Sequence, residues 1–164
     1  MKCIIKTEGF GDMVFELYPE HAPITVENFV KFVNSGFYNG LGWCRLSKDY
    51  VIQGGAINND INTILETDDL CIKGEFKANG VENPVEHVRG AISMARTFES
   101  FDSARNQFFV VHKDAHKLDG NYAGFGQMIE GFEILDLLAS QPTYGPETWH
   151  KPIDIPIIKE IKIL

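Results

Sequence analysis

The sequence predicts a mainly β protein, a closed antiparallel β-barrel capped by two α-helices. Three observations favour this fold: short β-like runs are numerous, only two segments have helical spacing, and strands do not alternate with helices as a parallel sheet requires. Closing the sheet would also remove exposed strand edges. The 164 residues fit one domain, 1–164, that can bury a sizeable core.

Short β-like runs make up most of the chain. Residues 2–6 and 13–18 flank a glycine-bearing turn and predict an opening hairpin. Two long polar loops, 58–69 and 97–106, interrupt the later runs, and long loops on a rigid scaffold often carry binding sites. The remaining strands are predicted at 43–46, 50–53, 70–73, 91–96, 107–112, 122–129 and 154–163.

Two segments have the periodicity of helices. In the first, apolar residues fall at i, i+3, i+4 and i+7, namely Val26, Phe29, Val30 and Val33. Thr25 is the predicted N-cap of this helix, and Gly36 is predicted to end it. The second helix is predicted over 132–139, and Pro142 prevents its continuation.

Charge and cysteine content restrict the classes of partner and compartment. With 15 basic and 23 acidic side chains the net charge is −8, which disfavours binding to nucleic acid. We expect no membrane association, because the chain has no apolar run of about 18 residues. Three cysteines without a C-x-x-C pair, and an N-terminus unlike a signal peptide, predict a cytoplasmic protein. We expect a monomer.

The residues alone give no nucleophile or metal centre. A cationic neighbour such as Arg45 can lower a thiol pKa, but Cys44 has no recognisable histidine partner and is better interpreted as a buried strand residue. His112 and His116 are four residues apart, yet His112 ends a predicted strand, so a helical metal pair is not expected. We expect no metal and no cofactor. Arg45 itself is either a surface arginine beside core aromatics or part of a site.

A series of motifs resembles the cyclophilins in order and spacing, over nearly the whole chain. The chain is most similar to the short, single-domain bacterial peptidyl-prolyl cis-trans isomerases. The resemblance implies a closed eight-stranded antiparallel barrel capped by two helices. The motifs are residues 37–41, the segment around Arg45, Gln53-Gly54-Gly55, Ser93-Met94-Ala95, Gln107-Phe108-Phe109, Leu118-Asp119-Gly120 and residues 122–126.

The resemblance also implies the site. Arg45 and Gln53 match the catalytic positions of the family. Lys117 is peripheral and stands where cyclosporin-sensitive members carry tryptophan, so we expect weak cyclosporin binding. The substrate-binding residues implied are Tyr50, Val51, Ala95, Arg96, Gln107, Phe109, Leu118 and Tyr122.

The expected function is therefore acceleration of X–Pro bond rotation in protein substrates, which assists folding. Its partners would be proline-containing peptides and unfolded or loop segments of proteins. The alternative is a proline-peptide binding or chaperone module with the same groove and little turnover. In the 58–69 loop, Glu66, Asp68 and Asp69 either give the groove rim a negative potential that favours basic peptides or belong to a solvated surface loop without a function.

Overall fold

The structure, a computed structural model, describes residues 1–63 and 70–164. The described residues form one antiparallel sheet of eight strands in the order β3-β4-β6-β5-β7-β2-β1-β8, together with two helices. The helices are α1 (Pro23–Asn34) and α2 (Phe132–Ala139). The strands are β1 (Lys2–Thr7), β2 (Gly11–Leu17), β3 (Trp43–Ser47), β4 (Val51–Gly54), β5 (Ala91–Met94), β6 (Phe108–Val111), β7 (Gly124–Glu130) and β8 (Ile158–Ile163).

The prediction of a closed barrel is wrong, because the sheet is an open half-barrel. In the described parts of the chain, the edge strands β3 and β8 do not pair with each other, and an isolated bridge between Gly42 and Ile157 lies just before both strands. Pro156 lies two residues before β8 and has no N–H to donate to a ladder. The 142–157 loop covers the edge instead, and the backbone N–H of Trp43 donates to the carbonyl of Pro156 at 2.8 Å.

Most of the predicted strands are confirmed, with bounds that differ by at most four residues at either end. The opening hairpin pairs β1 with β2, and its turn contains Gly9 and Gly11, both with positive φ. The run at 70–73 is not a strand. Its ordered contact is a single bridge between Ile72 and Ala104. The charged residues Glu66, Asp68 and Asp69 lie outside the described residues, so the negative rim stays a prediction.

Both predicted helices are confirmed, but the predicted cap of the first is wrong. α1 begins at Pro23, so Thr25 lies inside its first turn. The cap comes from Glu75, whose carboxylate accepts hydrogen bonds from the Thr25 N–H at 2.6 Å and from the Thr25 hydroxyl at 2.7 Å. A carboxylate at a helix N-terminus also interacts favourably with the helix dipole. Gly36 follows the helix with a φ of 73°, as predicted.

The sheet carries apolar residues on both faces, which creates a core and a separate surface cluster. On β6, Phe108 and Val110 belong to the main core, where Phe108 contacts the Phe29 ring of α1. The alternate residues Phe109 and Val111 belong to a second cluster. Neither helix in the described residues is long and apolar enough to cross a membrane.

Candidate active site

The second apolar cluster borders a groove with a cavity volume of about 810 Å³. Side chains of β3, β4 and β6 form the floor of this groove, on the face of the sheet opposite the main core. The structure brings together every residue that the resemblance places in the catalytic and substrate-binding sets. They are Arg45, Tyr50, Val51, Gln53, Ala95, Arg96, Gln107, Phe109, Leu118 and Tyr122.

Arg45 and two glutamines form a hydrogen-bonded row along one side of the groove. Strand register places Arg45 opposite Gln53, and Arg45 Nη1 lies 3.4 Å from Gln53 Oε1. Gln53 Nε2 donates to Gln107 Oε1 at 2.8 Å, and Gln107 Nε2 donates to the carbonyl of Ile61 at 3.1 Å. These bonds orient the Gln53 amide so that its oxygen faces the guanidinium.

The environment of Arg45 leaves its donors available. Within the described chain no carboxylate forms an ion pair with Arg45, and its buried Nε has no hydrogen-bond partner. The guanidinium instead lies 5.7 Å from the ring centroid of Tyr50 and 5.5 Å from that of Trp149. Burial lowers the pKa of Arg45. The ordinary pKa of arginine lies far above neutral, so the side chain stays charged at neutral pH.

Phe109 and Leu118 form an apolar pocket next to Arg45. Only 5% of Phe109 and 7% of Leu118 is exposed, and both residues line the groove. The ring of Tyr122 meets that of Phe109 edge-on, with centroids 5.8 Å apart. On its other side Phe109 stacks on the imidazole of His87 at 6.0 Å. Rings packed in this way give the pocket a fixed shape.

The sequence analysis did not identify the polar network behind the pocket. His87 Nδ1 lies 2.9 Å from Asp119 Oδ1, and His87 Nε2 lies 2.9 Å from Ser93 Oγ. Burial lowers the pKa of His87, although hydrogen bonding to Asp119 opposes this shift. A neutral imidazole that donates to Asp119 and accepts from Ser93 satisfies both ring nitrogens. The network therefore fixes the ring against which Phe109 packs.

Arg96 builds the rim of the groove through contacts within the protein. Its guanidinium donates to the carbonyl groups of Asn121 and Thr97, at 2.8 Å and 2.9 Å. It also lies over three aromatic rings, those of Phe76, Phe101 and Tyr122. Lys117 stands outside the groove lining, and its Nζ lies 4.4 Å from the centroid of the Tyr50 ring.

Cys44 does not provide a nucleophile. The residue is buried, and burial raises the pKa of its thiol to about 12. The thiolate, which is the reactive form, is therefore scarce at neutral pH.

The two histidines considered as a metal pair, His112 and His116, contact different aspartates. His112 contacts Asp136 at 2.8 Å, whereas His116 contacts Asp119 at 2.8 Å. Among the described residues, one surface group has ligand atoms close enough to hold a cation, formed by Glu86, His116 and Asp119 within 4.8 Å of one another. Glu86 is distant in sequence from His116 and Asp119, so the spacing of motifs did not indicate the group.

The fold and the site together define a class of protein. An open antiparallel half-barrel positions a guanidinium without a carboxylate partner among the described residues beside an apolar pocket, as in a cyclophilin-like isomerase.

Comparisons with known proteins agree with this class. Residues 2–163 match the family described as cyclophilin type peptidyl-prolyl cis-trans isomerase/CLD. Peptidyl-prolyl cis-trans isomerase B of Bacillus subtilis is 40% identical over 77% of this chain and 82% of its own length. Peptidyl-prolyl cis-trans isomerase A of Dickeya dadantii is 35% identical over 97% of this chain and 84% of its own length.

A solved structure extends the agreement to three dimensions. The cyclophilin type isomerase of Cryptosporidium parvum, crystallised in the presence of the dipeptide Ala-Pro, is 30% identical with a TM-score of 0.87. The match covers 100% of this chain and 99% of that protein. The chain belongs to the cyclophilin-type peptidyl-prolyl cis-trans isomerase family.

Proposed function

We propose that this protein isomerises X–Pro bonds in accessible segments of proteins and that Arg45 is its catalytic donor. The observation that carries the proposal is the position of the Arg45 guanidinium, which stands beside the apolar pocket without a carboxylate partner among the described residues. Any carboxylate there would compete for the N–H groups that the reaction needs.

The reaction requires stabilisation of a twisted amide and no change in covalent bonds. Rotation about the peptide bond has a barrier of about 18–20 kcal/mol, because the nitrogen lone pair is delocalised into the carbonyl group. The two X–Pro isomers differ by only about 0.5–1 kcal/mol, so the catalyst acts on the rate. In the twisted state the prolyl nitrogen becomes pyramidal and basic. A guanidinium N–H then binds it more strongly than in the planar ground state, which is selective stabilisation of the transition state.

The neighbouring residues supply binding and orientation. Phe109, Leu118 and Tyr122 offer an apolar pocket for the pyrrolidine ring. Gln53 places its side-chain amide beside Arg45. The amide oxygen of Gln53 accepts a hydrogen bond from the guanidinium and so orients Arg45. The presence of Ala-Pro in crystals of the Cryptosporidium parvum relative supports proline-containing peptides as the substrate class.

Isomerisation of a short X–Pro peptide tests the proposal directly. In a protease-coupled assay, the protease cleaves only the trans peptide, so catalysis increases the rate of the slow phase. We expect this rate to rise linearly with protein concentration. Peptide binding without acceleration would contradict the proposed activity and support the binding or chaperone function instead.

We also propose that the protein acts as a single-domain, cytoplasmic monomer. Its three cysteines are free thiols, of which Cys3 and Cys44 are buried, and this supports a reducing compartment. Sedimentation equilibrium at several concentrations tests the oligomeric state, and a mass above 18.5 kDa that rises with concentration would contradict a monomer.

A further inference from the structure

The groove has an aromatic wall that the sequence analysis did not predict. The chain contains two tryptophans, and they lie in different environments. Trp43 is completely buried, whereas 46% of Trp149 is exposed and the residue lines the groove beside Arg45. Trp149 belongs to the 142–157 loop that covers the edge of β3.

Backbone contacts hold this part of the loop next to β3. The Trp149 N–H donates to the carbonyl of Pro146 at 3.1 Å and closes a short 3-10 turn. Trp149 then takes a φ of 56°, a left-handed conformation that is rare for a bulky residue. The next residue, His150, accepts a hydrogen bond from the N–H of Leu46 at 3.0 Å, one position beyond Arg45. The loop is thus tied to the strand that carries the guanidinium.

Two aromatic rings and a second cation lie close to Arg45. The guanidinium lies over the rings of Trp149 and Tyr50, at centroid distances of 5.5 Å and 5.7 Å. The Lys117 ammonium lies 4.4 Å from the Tyr50 ring. A ring face attracts a cation through its quadrupole and leaves the N–H groups free, whereas a carboxylate would bind them.

We propose that Trp149 is a positioning residue for the isomerisation, which holds the Arg45 guanidinium at the edge of the pocket. This inference rests on the proposed function of Arg45. Among the described residues, the Nε of Arg45 has no hydrogen-bond partner, and the contact of Arg45 with Gln53 is long at 3.4 Å, so these hydrogen bonds constrain the guanidinium weakly. The indole face supplies the missing constraint without occupying a donor.

Substitutions that separate aromatic character from apolar volume test the proposal. Trp149→Phe keeps a ring face, while Trp149→Leu keeps apolar bulk without one. We expect Trp149→Leu to lower kcat about fivefold to thirtyfold with a smaller change in KM, the range between an exposed and a desolvated cation–π contact. Trp149→Phe should retain most of the activity. Tyr144→Ala is the matched control, because Tyr144 is an exposed aromatic of the same loop outside the groove lining.

Fluorescence provides a readout that a purely structural role would not change. Because Trp43 is buried, acrylamide quenching of the folded protein reports mainly on Trp149. A saturating Ala-Pro peptide should shield the indole and reduce quenching in the wild type. The Trp149→Phe variant should show no peptide-dependent change.

The outcomes distinguish this inference from the function on which it rests. An inactive wild type would refute the proposed function, whatever the variants do. An active wild type with equal kcat in the Leu and Phe variants would refute the role of the ring face. An equal loss in Tyr144→Ala would show a general effect of the loop and refute it too. Thermal unfolding of each variant identifies losses that come from misfolding, and Trp149→Met replaces Trp149→Leu as the variant without a ring if the leucine variant fails to fold.

Discussion

Replacement of Arg45 with alanine should abolish most of the catalysis while the protein stays folded. A hydrogen bond to a charged group contributes about 1.5–3 kcal/mol, and each 1.4 kcal/mol changes a rate tenfold. If Arg45 makes this bond only to the twisted amide, Arg45→Ala should lower kcat/KM by about tenfold to 150-fold. The free energy of unfolding should change little. The lost cation–π contacts are offset because the buried, unpartnered Nε is removed as well.

Arg45→Lys separates the charge from the shape of the donor. Lysine keeps the positive charge but loses the planar fork of N–H groups. It also loses the contacts that the guanidinium makes with the rings of Tyr50 and Trp149. We therefore expect only partial rescue. The measurement is kcat/KM in the protease-coupled assay, with circular dichroism and urea unfolding as controls for structure. Wild-type turnover in well-folded Arg45→Ala would refute the reasoning, and full rescue by lysine would refute the need for a planar donor.

Three further substitutions test the pocket, the rim and the electrostatics of α2. Phe109→Ala should raise KM and lower kcat, and it should reduce stability by about 3 kcal/mol because the ring is buried; unchanged kinetics would place proline elsewhere. Lys117→Trp should strengthen inhibition by cyclosporin, since an indole offers more apolar area and an N–H donor, and tight inhibition of the wild type would contradict this. Asp136 receives a paired hydrogen bond from Arg89, which lowers its pKa from 3.8 to about 2. A lowered folded-state pKa stabilises the protein above the unfolded pKa, and this stabilisation is lost as the pH falls through the folded value. Asp136→Asn should therefore cost about 1 kcal/mol or less at pH 7, given that the side chain is half exposed, and almost nothing near pH 2 in urea unfolding. An equal cost at both pH values would contradict the ion pair as the cause.

Local patterns predicted the elements that depend on local interactions. The helical spacing of Val26 to Val33 and the run at 132–139 reproduce α1 and α2, because each buries one apolar stripe. The groove residues were found only through the resemblance, since chemistry alone left Arg45 open. Motif order then brought together side chains from β3, β4, β6 and the segment after β5 that no periodicity relates.

Features that depend on distant contacts could not be predicted in this way. Thr25 has the residue type of an N-cap, but Glu75 occupies that role from 50 residues away. Closure of the barrel depends on whether β3 and β8 pair along their length, and the chain before β8 folds as a covering loop. Trp149 belongs to that same loop and contacts Arg45. Because the two residues are distant in sequence, no local pattern could predict this contact.

Phe109 and Arg45 are held in place by different kinds of contact, because the two side chains have different requirements. Phe109 must keep a fixed shape, and a satisfied polar network behind it, built on His87 and Asp119, restricts its neighbour without facing the groove. Arg45 must present unoccupied donors, so a strong ionic partner would defeat its purpose. The chain carries 23 acidic side chains, yet within the described residues Arg45 is held by aromatic faces and an amide. In the proposed mechanism, such weak contacts that leave the donors free would let the guanidinium bind most strongly when the prolyl nitrogen becomes basic, at the transition state.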